Sequence, residues 1–387
     1  MSAVPDDLAV HRRRALAAMD AGNAWPKESP WLRDAVDALP RDVFAPDTVW
    51  TWDGHAWRRV DRAEDPQDWA RLVHADPDEA TITQITDGVP SSSLSCTSIV
   101  VDMLDSLDLE PGHRVLELGT GTGWNAALIA HRTGPTGHVT SVEADPALAI
   151  GAAATLTRAG ARVDVRIGDG ALGWVPNAPY DRLIATYAVD RVPRAWIEQT
   201  TPGGDIVLPW TRLGYFALTT AKDGRSASGW LHGLAQFMNA RGTPTAPTHR
   251  QVRADRDPDH QRPLTRDPRP LHDNAHLMWA LRLRLPDILF DTTVDTGGVH
   301  ARLHDGAESW ATISTPPTGP AIAAQGGPRR LVDELEAAWH AWTAAGAIGL
   351  YEHGMTVTAD DEQFVWAGDS DTGPRWPLPT PAPITIG

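Results

Sequence analysis

Residues 115–123, VLELGTGTG, run an apolar strand straight into three alternate glycines. That feature constrains the fold more than any other. Glycine is needed there because the backbone must turn sharply and approach a ligand with no Cβ in the way. Around it the pattern alternates. A helix is predicted near 97–109, a strand at 113–118, a helix to about residue 131, a strand at 138–143 and a helix at 146–159. Strands at 162–167 and 181–186, a helix at 193–199 and a strand at 205–209 follow. Alternation of this kind predicts an α/β domain with a parallel sheet covered by helices on both faces.

The flanks read differently. Residues 6–39 carry two short helical patterns and form a cap, while 40–90 read as irregular connection with a few short strands. Residues 241–271, dense in Pro, Arg, Asp and Thr, read as a linker or extended arm. The expected organisation is therefore a cap and irregular region at 1–90, a core at 91–240, the linker, and an accessory domain at 272–387. Within the last, a helix at 328–345 carries Leu331, Val332, Leu335, Trp339 and Trp342 on one face. The final fifteen residues, rich in proline, read as a tail.

Charge and composition narrow the function. Fifty acidic against 34 basic residues leave a net charge of −16, which argues against a phosphate-neutralising surface and so against nucleic acid. No apolar run reaches membrane-spanning length, and MSAVPDDLAVHRRR lacks the apolar stretch of an export signal. No membrane partner is expected. The single cysteine, Cys96, allows no internal disulfide and fits a cytoplasmic location. Seventeen tryptophans against five phenylalanines make tryptophan the default large core residue, with an aromatic peptide groove as the alternative.

The glycine spacing is G-x-G-x-G, not the G-x-G-x-x-G of a pyrophosphate-binding dehydrogenase. Twenty residues after Gly123, Glu143 ends the next strand, placed to accept hydrogen bonds from a ribose diol; Gly168-Asp169-Gly170 ends the third, where an acid can receive an adenine amine. In that order the three features read as a site for S-adenosylmethionine, with S-adenosylhomocysteine as product. The candidate cofactor-binding residues are Glu117, Gly119, Thr120, Gly121, Thr122, Gly123, Glu143, Ala144, Gly168, Asp169, Gly170 and Thr186. The alternative is that Glu143 and Asp169 only cap the helices that follow.

From about Ala38 to Pro209 the chain resembles the protein-L-isoaspartate (D-aspartate) O-methyltransferase family. The stretches that carry the resemblance are ALPRDVFAP, RVLELGTGTGWNAALIA, HVTSVEADPAL, GDGALG, APYDRLIAT and VPRAWIEQTTPGGDIVLP. The resemblance implies a Rossmann-like class I S-adenosylmethionine-dependent methyltransferase sheet, here with an amino-terminal helical cap and a carboxyl-terminal α+β extension. Ser93-Leu94-Ser95 falls where the family carries Thr-Ile-Ser, so Ser95 matches the serine implicated in holding the acceptor carboxylate, with Ser93 and Ser92 beside it. Cys96-Thr97 replaces the usual Gln-Pro, which implies altered acceptor recognition. The serine run, GTGTGWNAAL, LVDELEAAWHAW and GLYEHGMTVT together resemble a long actinobacterial form that accompanies ribosomally made peptides crosslinked by ATP-grasp ligases, the graspetides. That likeness implies an acidic precursor peptide as partner, methylated on an aspartate side chain, the ester collapsing to an aspartimide. Isoaspartate repair, or a non-catalytic scaffold that binds cofactor and escorts a peptide, are the alternatives.

The chemistry suits these residues. An aspartate is ionised at neutral pH and needs no general base. Attack on a sulfonium methyl annihilates two charges, which exclusion of water favours. What remains is alignment, and short hydroxyls align a carboxylate without neutralising it. The histidine pairs His272/His276 and His300/His304 lack a third ligand and are read as surface or helix-end residues, so no metal is expected. The arginines between His249 and Arg269 are read as solvated, with a clamp for an acidic peptide as the alternative.

Overall fold

The computed structural model describes residues 5–378. The first four residues of the expected non-export start and residues 379–387 of the expected tail lie outside the described residues. Helices α1 (Pro5–Ala21), α2 (Trp31–Ala38) and α3 (Arg41–Phe44) open the chain as the expected cap. The segment read as irregular is ordered. Strands β1 (Thr48–Trp52), β2 (Trp57–Asp61), β3 (Thr81–Thr86) and β4 (Val89–Leu94), with α4 (Pro66–Val73) between β2 and β3, form an antiparallel sheet in the order β2-β1-β3-β4. Its apolar side is thin: Val49 pairs with Val60, both are buried, and Trp69 on α4 packs beneath and donates to Pro46 O at 2.9 Å. Tryptophans on the partly exposed side hid the two-residue alternation. The boundary expected after residue 90 cuts through β4.

From α5 (Thr97–Ser106) the alternation follows the sequence reading: β5 (Arg114–Leu118), α6 (Trp124–Thr133), β6 (His138–Glu143), α7 (Pro146–Arg158), β7 (Val163–Ile167), β8 (Tyr180–Ala185), α8 (Arg194–Gln199) and β9 (Thr200–Trp210). Strands β7-β6-β5-β8-β9 are parallel throughout. The sheet does not stop there. Strands β10 (Gly214–Thr220) and β11 (Ala227–Gly233) turn back as antiparallel hairpins, because connections this short leave no room for a crossover helix.

Helix α9 (His249–Arg253) and strand β12 (His260–Pro263) then lead into α10 (Pro270–Asp273), α11 (Ala275–Arg284), β13 (Leu289–Asp295), β14 (Gly298–His304), β15 (Trp310–Ser314), β16 (Ile322–Gly326) and α12 (Leu331–Ala344). Strands β12-β16-β15-β14-β13 make a separate antiparallel sheet, with α11 and α12 supplying its apolar cover. The stretch expected as a linker is thus part of this layer. Arg262 donates to Asp333 at 2.6 Å and pairs with Glu336, Arg253 stacks over Trp310 and Arg266 over Trp339, so these cations are engaged within the protein and form no free clamp.

The remainder corrects the accessory-domain boundary. Strands β17 (His353–Val357), β18 (Gln363–Ala367) and β19 (Arg375–Pro377) return to the central sheet and extend it in that order, β17 pairing with β11, with Met355, Val357 and Val365 fully buried. Strand β19 also replaces the start of the expected tail. Among the described residues the central sheet has ten strands, five parallel and five added antiparallel. Tryptophans 69, 124, 196, 210, 279 and 310 fill the cores, as the composition suggested. Among the described residues no helix is long and apolar enough to cross a membrane.

Candidate active site

The carboxyl ends of β5, β6 and β7 open onto a cavity of about 820 Å³. Strand β5 delivers Gly119 at φ 96°, and a Cβ there would lie 2.4 Å from Thr186 Oγ1. No other residue fits. Thr186 fixes the loop from the end of β8: its N–H donates to Leu118 O at 2.9 Å and its hydroxyl to Gly119 O at 2.5 Å.

Beneath the loop lies a buried polar chain. Glu117 accepts from Asn125 Nδ2 at 2.8 Å and from the Ser141 hydroxyl, and Ser141 pairs with Thr120 Oγ1 at 2.6 Å. Burial pushes the Glu117 carboxyl up to about 7, against the opposing pull of its Ser141 and Asn125 hydrogen bonds. Glu117 therefore supports the loop from behind and does not line the cavity. Gly123, packed against Leu156, and Gly168 also lie outside the lining. The other nine cofactor candidates, Gly119, Thr120, Gly121, Thr122, Glu143, Ala144, Asp169, Gly170 and Thr186, line the cavity together.

Glu143 is 6 % exposed; its Oε2 accepts from Gly121 N–H at 2.9 Å and its Oε1 from Asp145 N–H at 3.0 Å. It caps no helix: Asp145 caps α7, accepting from Ala147 and Leu148. Asp169 both caps a turn and lines the cavity. Its Oδ1 accepts from Ala171 N–H at 2.9 Å, capping the single turn Gly170–Leu172, while the residue faces the cavity. Gly170 is close-packed, since a Cβ would lie 2.3 Å from the Tyr187 hydroxyl. Burial, reinforced by the charges of Asp169 and Glu143, pushes that phenol up.

The facing wall is β4 and the first turns of α5. Ser92 is buried and accepts from Thr83 Oγ1 at 3.1 Å, and Ser91 donates to Gln84 Oε1 at 2.8 Å. The hydroxyls of Ser93 and Ser95 make no side-chain hydrogen bond among the described residues, although both residues line the cavity. Neither caps α5, whose N-cap is Cys96 with no side-chain bond. The structure thus brings Ser92, Ser93 and Ser95 to one wall opposite the glycine loop.

Other groups at the cavity had no sequence signal. Asp102, on the same face of α5 as Ile99 and Met103, accepts from the Tyr215 hydroxyl at 2.5 Å, and burial raises its carboxyl. A strap at 234–241 follows β11 and pairs with Ala188: Ala188 N–H donates to Met238 O at 2.8 Å and Ala240 N–H to Ala188 O at 3.1 Å. It ends at Arg241, which donates to Gln84 Oε1 at 2.9 Å, pairs with Asp145 at 3.3 Å and reaches Glu143 at 4.0 Å. The strap and Tyr187 lie in turns that no periodicity marks.

The histidine pairs are apart from the cavity. His272 Nδ1 bonds Thr292 Oγ1 at 2.9 Å, His276 Nδ1 accepts from Leu350 N–H at 3.0 Å, and His300 and His304 lie on β14, not on a helix. Among the described residues no His, Cys, Asp and Glu side chains gather in a group of three or more that could hold a metal ion.

Comparison with known proteins gives a consistent result. The model of the protein-L-isoaspartate(D-aspartate) O-methyltransferase family matches residues 55–226. The chain is 34% identical over 202 residues to the protein-L-isoaspartate O-methyltransferase of Hyperthermus butylicus, covering 48% of this chain and 78% of that protein. It is 44% identical over 118 residues to that of Pyrococcus horikoshii, covering 30% and 53% respectively. Against the Pyrococcus protein and that of Methanopyrus kandleri, the chain spans about half the relative's length, 53% in each case. A solved structure of a protein-L-isoaspartate O-methyltransferase superposes with a TM-score of 0.54 at 19% identity, covering 92% of this chain and all of that one. The architecture, extra layers included, is therefore one already seen in a solved protein.

Proposed function

Because the chain belongs to the protein-L-isoaspartate(D-aspartate) O-methyltransferase family and has the class I methyltransferase fold, we propose that it is an S-adenosylmethionine-dependent carboxyl O-methyltransferase whose acceptor is an aspartyl or isoaspartyl side chain. One observation carries the reading: Ser93 and Ser95, whose hydroxyls make no hydrogen bond among the described residues, line the same cavity as the glycine loop, Glu143 and Asp169. The residues fit the cofactor. Gly119 and Gly170 let the backbone pack tightly on Thr186 and Tyr187, where a Cβ would clash, and Glu143 and Asp169 set carboxylates at the ends of β6 and β7. Glu143 would hold the ribose hydroxyls and Asp169 the adenine amine. When bound, the cofactor supplies a methyl group activated on a sulfonium sulfur.

The chain's own residues then have a limited task. The acceptor carboxylate is already a nucleophile at neutral pH. Ser93 and Ser95 donate to its oxygens and fix its approach, which is orientation work. Ile99 and Met103 line the same wall and exclude water, favouring a step that removes charge. No side chain has to take a proton.

The finer reading is that the acceptor is an aspartate of an acidic ribosomal peptide, already crosslinked by an ATP-grasp ligase. The backbone N–H that follows attacks the ester carbonyl, methanol leaves, and an aspartimide remains. The resemblance of the long form supports it, as does Cys96 in the cavity wall, where the replacement of the usual Gln-Pro by Cys96-Thr97 implies altered acceptor recognition. Isoaspartate repair is the second reading, supported by the relatives and by a solved structure that spans 92% of this chain, so the extra layers do not separate the two.

Incubation with methyl-labelled cofactor and an isoaspartyl peptide, a crosslinked acidic peptide or no peptide decides between them. A net loss of one water from the crosslinked peptide supports the aspartimide reading, and label on the isoaspartyl peptide alone supports repair. No label on either peptide, no labelled methanol released and no loss of water, with cofactor bound, leaves a scaffold and overturns the enzyme reading.

A further inference from the structure

Arg41, at the start of α3, is 5 % exposed. Among the described residues no carboxylate lies within ion-pair distance of it. Its Nη1 donates to Thr97 Oγ1 at 3.1 Å, and its Nη2 to Thr81 Oγ1 at 3.3 Å and to Leu94 O at 3.1 Å. Its Nε is buried without an acceptor. The adjacent acid is already engaged: Asp42 binds Arg12 through both oxygens, at 2.8 and 2.6 Å, and His74 Nε2 at 3.0 Å. A buried cation offered only neutral oxygens is costly to keep, and such groups concentrate where a counter-charge arrives during function. Burial lowers the guanidinium to about 10, which still leaves it charged at neutral pH.

Its place in the fold says where that counter-charge belongs. Leu94, Ser95 and Cys96 line the cavity, and Thr97 opens α5 directly behind them. The guanidinium also lies 5.3 Å from the ring centre of Trp124, the residue that follows the glycine loop. Arg41 is therefore wedged where the acceptor wall meets the donor loop, one peptide group behind Ser95. The carbonyl it binds, Leu94 O, belongs to the peptide whose N–H is that of Ser95.

We propose that Arg41 is a positioning residue that supplies, through the wall, the positive charge drawing an acceptor carboxylate to Ser93 and Ser95. This rests on the reading of the cavity as a carboxylate-acceptor site. The indirect placement has a chemical reason. An arginine in contact would form a short, charge-assisted pair and tie up the lone pairs that must attack. A charge set back by one peptide group still attracts an anion in a low-dielectric site, and it polarises the Ser95 N–H without blocking the nucleophile.

The test measures binding to protein saturated with S-adenosylhomocysteine, by calorimetry. The probes are an isoaspartyl peptide and the same peptide with the side-chain carboxylate replaced by a carboxamide. The wild-type protein should prefer the carboxylate. In Arg41→Met that preference should fall about tenfold, the scale of a partly screened charge pair, with carboxamide and S-adenosylhomocysteine affinities unchanged. Arg41→Lys should restore most of it, which a role confined to packing would not predict. Should Arg41→Met fail to fold, Arg41→Gln, which keeps a donor toward Leu94 O without the charge, decides in the same way. A neutral variant that binds S-adenosylhomocysteine normally and keeps the wild-type preference overturns the assignment. A wild-type protein showing no preference overturns the carboxylate reading of the cavity itself.

Discussion

The two walls of the cavity differ in how far their polar groups are satisfied within the protein. On the wall built from the parallel strands, Thr186 binds Gly119 O, Thr120 pairs with Ser141, and both Glu143 oxygens hold backbone N–H groups. On the wall built from β4 and α5, Ser93 and Ser95 lack side-chain partners among the described residues, and Arg41 behind them lacks a carboxylate. A cofactor of one fixed shape is best met by a cradle that is rigid and internally satisfied before it arrives. An acceptor that comes and goes has to bring the missing partners itself, because hydroxyls already bonded within the protein would have to be freed first. On the proposed function, the satisfied wall would serve the cofactor and the open one the acceptor, and mutations should separate the two.

The largest effect is expected from Gly119→Ala, which drives a Cβ against Thr186 Oγ1 in a backbone conformation that L-residues rarely adopt. S-adenosylhomocysteine affinity by calorimetry should fall by at least about hundredfold, equivalent to about 3 kcal/mol. A change of less than threefold would mean the donor does not sit on this loop. Asp169→Asn comes next. Asparagine keeps an oxygen for the Ala171 N–H but can present an amide donor where an adenine amine needs an acceptor. The dissociation constant should rise by about 1–3 kcal/mol, with the acceptor KM at saturating cofactor unmoved. An unchanged constant refutes the adenine assignment.

The same division explains how much the sequence revealed. The parallel half was legible because each strand–helix unit repeats one pattern, and β6 (His138–Glu143) was placed to the residue. The antiparallel half was not. Strand β17 pairs with β11 from more than a hundred residues away and carries β18 on its other edge, and neither spacing nor composition encodes that pairing. In β1–β4, one thin apolar side shared by short strands left too few buried positions to show a period. Site residues divide similarly. Glu143 and Asp169 follow from strand ends, and the serines only from a family register. Arg41 lay in the quoted stretch ALPRDVFAP, but its unpaired burial is a property of three elements meeting. Glu117 shows the limit within a motif: in a strand buried on both faces, spacing does not distinguish a lining residue from a supporting one.

Glu117→Gln tests the satisfied wall from behind. Since burial holds this carboxyl above its unfolded value, the neutral form is the one the fold prefers. The stability it contributes is complete below the usual carboxylate range and is lost as pH rises to about 7. Glutamine can keep the bonds to Ser141 and Asn125 without ionising. The variant should match the wild type near the acidic end of that window and exceed it above pH 7 by on the order of 2 kcal/mol, read as the difference between two Tm-against-pH profiles. A difference that grows toward low pH would reverse the sign and refute the assignment.

Ser95→Ala should give the smallest change and the sharpest test of the contrast. It removes one hydroxyl that makes no hydrogen bond among the described residues, so folding should lose almost nothing. Only the acceptor notices. Because Ser93 lies on the same wall and can still donate, the loss in kcat/KM toward an isoaspartyl peptide should be about 1 kcal/mol, roughly fivefold, with S-adenosylhomocysteine affinity unaltered. Ser93→Ala,Ser95→Ala together should cost more than the sum of the single changes, since each hydroxyl covers for the other. Strict additivity would mean the two do not share one carboxylate, and an equal loss in cofactor binding would mean that the walls are not divided by ligand at all.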